Sequence, residues 1–125
     1  MGDNVAVVQR SYEWFLKGDA DEITDLLDPH IQWSVPRTVP HGGHFQGVAG
    51  VREFFDGVRA AWRPIDVALE YIGEIGPGVV VATVTISGTL AGEDVIYRAV
   101  HVFTLVEGRI TSFREHVDID VALAG

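Results

Sequence analysis

The chain contains no cysteine. That excludes disulfide bridges, thiolate nucleophiles and cysteine-ligated zinc together, and it leaves the redox compartment open. Basic residues are scarce, with 9 Lys and Arg against 18 Asp and Glu and a formal net charge of −9. A nucleic-acid binder needs a basic face to neutralise phosphates, and a peripheral membrane protein needs one for anionic lipid, so neither role is expected. No apolar run approaches the ~20 residues of a membrane-spanning helix. The opening Met-Gly-Asp-Asn has neither the basic nor the apolar region of a secretory signal, so a cytoplasmic protein is expected. Gly47, Gly50 and Gly57 lack the spacing of a phosphate cradle. What remains is a globular balance of 47% hydrophobic and 22% charged residues over 125 positions. This is one domain, residues 1–125, long enough to bury roughly two-thirds of its unfolded surface without staples.

The first half of the chain has helical periodicity and the second half alternates. Val5, Val8, Tyr12, Phe15 and Leu16 form an apolar stripe that predicts a helix ending at Lys17-Gly18. Trp14 is out of phase with that stripe and is expected outside. Asp19 and Glu22 have capping-box spacing for a short second helix, which buries Ile23, Leu26 and Leu27 and stops at Asp28-Pro29. Residues 30–35 suggest a short strand, and 36–47 a loop rich in Gly, Pro and His. A third helix from about Val48 carries Val51, Phe54, Phe55, Val58 and Trp62 on one face and closes at Pro64. From there the period is two. Strands are predicted over 66–75, 79–90, 95–105 and 109–117, an antiparallel meander separated by glycine-containing turns. Three helices followed by strands make an α+β domain. Val100, Val102 and Ile110 oppose Ala99, Phe103 and Phe113 in parity, so the sheet is apolar on both faces over part of its length. The face away from the helices then needs a partner, and a homodimer through the sheet is expected.

Three segments carry a resemblance. Val-Gln-Arg-Ser-Tyr-Glu-Trp-Phe-Leu-Lys-Gly-Asp (8–19), Phe-Gln-Gly-Val-Ala-Gly-Val-Arg-Glu-Phe-Phe (45–55) and Glu-Gly-Arg-Ile-Thr-Ser-Phe-Arg-Glu-His-Val-Asp (107–118) look like the first helix, the third helix with its preceding loop, and the final hairpin of SnoaL-like proteins. These are polyketide cyclase-like members of the nuclear transport factor two-like superfamily. The resemblance covers nearly the whole chain. It implies an α+β fold in which a cone-shaped, curved mixed or antiparallel sheet wraps around three N-terminal helices, the cystatin-like arrangement. The superfold hosts isomerases, cyclases, epoxide hydrolases, dehydratases and non-enzymatic binders, so function has to be argued from the site.

The turn around Gly108 suits a three-residue loop, 106–108, with Leu105 facing Arg109. His101 then faces Phe113, Ala99 faces Glu115, and His101 and Glu115 are diagonal neighbours roughly 7–8 Å apart on one face. A two-residue turn would shift the register by one and put them on opposite faces. Phe103, Phe113 and Val117 share the face of the pair. Burial disfavours the charged form of a carboxylate, which suits one to general-base work near neutrality. A neighbouring imidazole can donate to a developing enolate oxygen or shuttle the proton. His101 and Glu115 are therefore the candidate catalytic pair for proton abstraction next to a carbonyl. SnoaL-like cyclases are expected to hold a histidine and an acid at these two positions, with Glu here for Asp. The equal alternative is a buried pair that satisfies itself, or that binds Arg98, Arg114 or a backbone amide.

Tyr12, Trp33, Phe103 and Phe113 are candidate ligand-contacting residues, with core packing as the alternative for Tyr12 and Trp33. His41 and His44 flank two glycines on the loop. They lack a third ligand for a metal and more simply belong to a lid that reaches a ligand. His116 and Arg114 have outward parity. Asp118 resembles a family acid that caps local backbone, Asp120 follows the last strand, and Glu70 and Glu74 suggest a solvated strand face. Steroid isomerases of the superfold place a base where this chain has Trp33-Ser34 and a tyrosine at Ser11, one residue from Tyr12. Epoxide hydrolases carry an arginine and an aspartate where this chain has Val84 and Ile86. The reading that follows is an acid–base enzyme of cyclase, isomerase or dehydratase type on a small hydrophobic carbonyl compound, with no cofactor and no metal implied. A binding or dimeric interaction module of the same fold is the alternative.

Overall fold

The computed structural model describes residues 3–18, 20–37 and 42–117. Three helices, α1 (Asp3–Lys17), α2 (Ala20–Thr24) and α3 (Gly47–Ala61), pack on a curved, unclosed sheet of six strands. The strands are β1 (Leu27–Val35), β2 (Gly43–Gln46), β3 (Trp62–Gly76), β4 (Val79–Leu90), β5 (Glu93–Val106) and β6 (Arg109–Val117). Their order is β2-β1-β6-β5-β4-β3. Neighbours run antiparallel except β1 and β6, which are parallel. The sheet is therefore mixed, and the meander of the sequence reading is its larger part. Among the described residues no helix is long and apolar enough to cross a membrane.

Several boundaries differ from expectation, each for a local reason. The second helix stops at Thr24, and Leu27 with Asp28-Pro29 already belongs to β1. Ile110 N–H donates to the Leu26 carbonyl at 2.9 Å, so sheet pairing with β6 captures this segment before a helical turn can. Part of the expected loop, Gly43–Gln46, pairs with β1 as β2. Trp62 completes the apolar pattern of α3 but opens β3, where it is buried all the same. On α1, Leu16 is exposed, while Trp14 packs against the core in place of lying outside. Asp19, His41, Asp118 and Asp120 lie outside the described residues.

The core lies between the helices and the concave sheet face. Val8 and Val51 from the helices and Ile31, Val80, Val84 and Ile110 from the strands are fully enclosed. Clean alternation puts Val80, Ala82, Val84 and Ile86 of β4 inward. Tyr97, Ala99, His101, Phe103 and Leu105 of β5 do the same. The convex face keeps Tyr71, Ile96 and Val100 exposed.

The β5–β6 hairpin fixes the polar pair by two compensating features. The turn has two residues, Glu107 and Gly108, both with positive φ (52° and 78°), and Val106 faces Arg109. That turn alone would place His101 and Glu115 on opposite faces. A bulge after Ile110 restores the parity: Leu105 faces Ile110, Thr104 faces Ser112, and Thr111 is the extra residue. The Thr111 hydroxyl donates to the Thr104 carbonyl at 3.1 Å. As a result Ile110, three residues from Phe113, shares its inward face, contrary to the simple alternation expected of it. His101 and Glu115 face each other directly, not diagonally.

Candidate active site

His101 and Glu115 are 6% and 7% exposed, on adjacent strands of the concave face. His101 Nε2 lies 2.9 Å from Glu115 Oε1. Tyr12, carried in by α1, puts its hydroxyl 2.5 Å from His101 Nδ1. A carboxylate only accepts, so with Glu115 ionised Nε2 carries the imidazole proton. Nδ1 is then the acceptor, and the Tyr12 O–H donates to it. The chain of donation runs Tyr12 to His101 to Glu115, and both ring nitrogens are occupied. The second carboxylate oxygen, Glu115 Oε2, is buried with no hydrogen-bond partner among the described residues.

Aromatic rings hold this chain in place. The Tyr12 ring lies nearly parallel to the imidazole, at 7° and 5.8 Å between centroids. Phe113 meets the imidazole edge-on at 4.8 Å. Trp33 of β1 stacks on Phe113 at 4.0 Å. Phe103 packs against both Phe113 and Tyr12. These rings leave a cavity of about 80 Å³, bounded by the three helices and the concave sheet. Tyr12, Trp33, His101, Phe103, Phe113 and Glu115 all line it. Burial, and then the Glu115 charge, push the Tyr12 phenol well above its ordinary range. The same two causes act on Tyr97, another lining residue, and raise its phenol strongly.

The cavity thus brings together six of the residues singled out from the sequence. His44 is elsewhere. It is exposed on β2, bonded to Ser34 Oγ at 2.8 Å and Gln32 Oε1 at 2.9 Å, and it is not a cavity-lining residue. Among the described residues no three His, Asp or Glu side chains cluster as a metal site. Arg98 lies on the convex face and pairs with Glu70 at 3.3 Å, while Arg114 and His116 are exposed, so none of them neutralises Glu115. Ser11, where the steroid isomerases have their tyrosine, donates instead to the Val8 carbonyl at 2.6 Å. Tyr97 was missed by the sequence reading. Its signal was its parity, shared with Ala99, His101 and Phe103 on β5. Its hydroxyl and the Trp33 indole Nε1 are, like Glu115 Oε2, buried without partners among the described residues.

The sequence matches the family described as "SnoaL-like domain" over residues 8–113. An uncharacterised protein of Mycobacterium tuberculosis is 30% identical over 110 residues, covering 87% of this chain and 84% of that one. Among solved structures, an NTF2-like protein of unknown function from Burkholderia pseudomallei is similar with a TM-score of 0.85. It shares 26% identity, with 98% of each chain covered. TerC, co-crystallized with polyporic acid, is similar with a TM-score of 0.82 and 25% identity over 94% of this chain and 93% of its own.

Proposed function

The chain belongs to the SnoaL-like domain family, and from that premise we propose that it is a cofactor-free acid–base enzyme acting on a small hydrophobic carbonyl compound. The observation that carries this reading is the free oxygen of Glu115, buried in an apolar cavity while its partner oxygen is held by His101. In the proposed step, the C–H bond next to the substrate carbonyl breaks and its proton passes to Glu115 Oε2. The C–H electron pair forms the enolate double bond, and the carbonyl π pair moves onto oxygen. Return of the proton to another carbon gives an isomerisation. Attack of the enolate carbon on a second carbonyl forms the ring bond, moves that carbonyl's π pair onto its oxygen, and gives a cyclisation once this oxygen takes the proton back from Glu115. His101 and Tyr12 act here as positioning residues, since His101 spends both nitrogens on its neighbours and has no proton left for the substrate. A largely apolar site strengthens such electrostatic contacts. That TerC has been co-crystallized with polyporic acid supports a small organic molecule as the ligand of this chain.

Hydrogen exchange tests this reading. Cyclohexanone and other small cyclic ketones in D2O are expected to gain deuterium next to the carbonyl faster with the protein than in buffer, as followed by proton NMR. Glu115→Gln keeps the shape but cannot take the proton, and we expect at least a hundredfold loss of exchange. No acceleration by the native protein, or equal acceleration by the variant, overturns the reading. The small volume of the cavity and the occupied imidazole favour a second reading, a non-catalytic binding module of the same fold. Ligand binding without exchange would establish that one.

A further inference from the structure

Three unpartnered polar atoms, Trp33 Nε1, Tyr97 Oη and Glu115 Oε2, belong to residues that line the same cavity. Their residues are 6%, 5% and 7% exposed. Buried polar groups in folded proteins are almost always paired, so three orphans around one cavity ask for a common explanation. Two of them are donors. An indole N–H cannot accept, and the phenol of Tyr97 is held in its protonated form by burial and by the charge of Glu115. The third is an acceptor. Trp33 faces Phe113 across β1 and β6, and Tyr97 lies four positions along β5 from His101, the residue that faces Glu115. The Phe113 stack fixes the plane of the Trp33 indole. His101, the expected oxyanion donor, is fully engaged, so an enolate formed at Glu115 needs a donor from elsewhere.

We propose that Trp33 and Tyr97 are the ligand's hydrogen-bond donors, and that the cavity selects a one-ring compound with two carbonyl oxygens. One oxygen accepts from the Trp33 N–H and the other from the Tyr97 hydroxyl. Glu115 removes a ring hydrogen next to one of these carbonyls. This rests on the acid–base reading above and adds the substrate class and the residues that set it. When the C–H proton moves to Glu115 Oε2, the negative charge arrives on an oxygen already facing one of these donors. That contact strengthens as the charge develops.

The test compares cyclohexane-1,4-dione with cyclohexanone, rings of similar size with two oxygens and one. Isothermal titration is expected to give about tenfold tighter binding of the dione to the native protein, the worth of one added hydrogen bond. Tyr97→Phe and Trp33→Phe are each expected to remove most of that preference. Tyr97→Phe should also raise the melting temperature of the ligand-free protein by a few degrees, because it deletes a buried hydroxyl that has no partner. A merely structural Tyr97 would lower it. Equal affinity of the two probes for the native protein, or an unchanged preference in Tyr97→Phe, overturns the proposal. The Tyr97 variant decides alone where Trp33→Phe does not fold. If Glu115→Gln abolishes exchange while Tyr97→Phe leaves the preference intact, the donor assignment falls and the enzyme reading stands. A Tyr97-dependent preference without exchange has the opposite meaning.

Discussion

His101 is held from both sides, by a phenol on one ring nitrogen and a carboxylate on the other. Removing either neighbour leaves a buried nitrogen unpaired. Tyr12→Phe should therefore cost about 1–3 kcal/mol in urea unfolding, although it deletes a single oxygen. A loss below the scatter of the measurement would mean that water or a ligand replaces the hydroxyl. Alkali gives a second residue-scale expectation. The folded-state pKa values of Tyr12 and Tyr97 are raised by burial first and by the Glu115 charge second. Their contribution to stability is fully present below the unfolded tyrosine pKa, near 10. Above that value the unfolded chain releases the two protons and the folded protein does not, so stability falls as pH rises. The melting temperature should hold through about pH 9 and decline beyond pH 10. The decline should lessen in Tyr97→Phe. Phenolate absorbance from these two residues should emerge together with unfolding.

Among the elements, the β5–β6 hairpin has the most to say about what a sequence reveals. The alternation of Val79–Leu90 and of Tyr97–Leu105 was enough to place two strands and their inward faces. The same alternation put His101 and Glu115 on one face, but through a three-residue loop. The structure reaches that face through a two-residue turn and a bulge at Thr111. The bulge was not legible because it answers to a distant partner. Leu27 of β1 faces Ile110 and Gln32 faces Ser112, so β1 carries its own irregularity alongside it. Parallel pairing of β1 with β6 is a long-range event that leaves no local periodicity. Gly43–Gln46 was hidden for the same reason, since four residues following a glycine- and proline-rich stretch show no period of their own. Trp62 misled because a helical stripe and a strand's first inward residue ask for the same kind of side chain. Two turns still bear on stability. Ala91 and Glu107 hold positive φ, at 53° and 52°, ahead of glycines. Asn tolerates that conformation better than either residue. Ala91→Asn and Glu107→Asn should each stabilise the protein by about 0.5 kcal/mol in denaturant titrations. A loss of stability would show that the native side chain is needed there.

For the molecule as a whole, the convex face carries exposed apolar side chains. Tyr71, Ile96 and Val100 stand exposed there at 53%, 58% and 37%, around the Glu70–Arg98 ion pair. We propose that this face pairs with a second copy of the chain. Light scattering should then report a dimer, and Val100→Glu, a charge placed on the apolar part of the face, should shift it towards monomer without lowering ketone exchange. A monomeric native protein would leave the patch to another partner. The formal charge of −9 works against self-association, so added salt should tighten the dimer.

Tyr12 and His101 lie 89 positions apart, at opposite ends of the sequence, whereas His101 and Glu115 belong to one hairpin. The imidazole and the acid can meet as soon as two adjoining strands zip together. The phenol joins them when the first helix seats against the finished sheet. Contacts so remote form slowly compared with local ones. In a refolding time course, regained exchange activity should consequently lag behind the recovery of sheet signal in circular dichroism. The Tyr12–His101–Glu115 chain would then serve as the clock that marks the last stage of assembly.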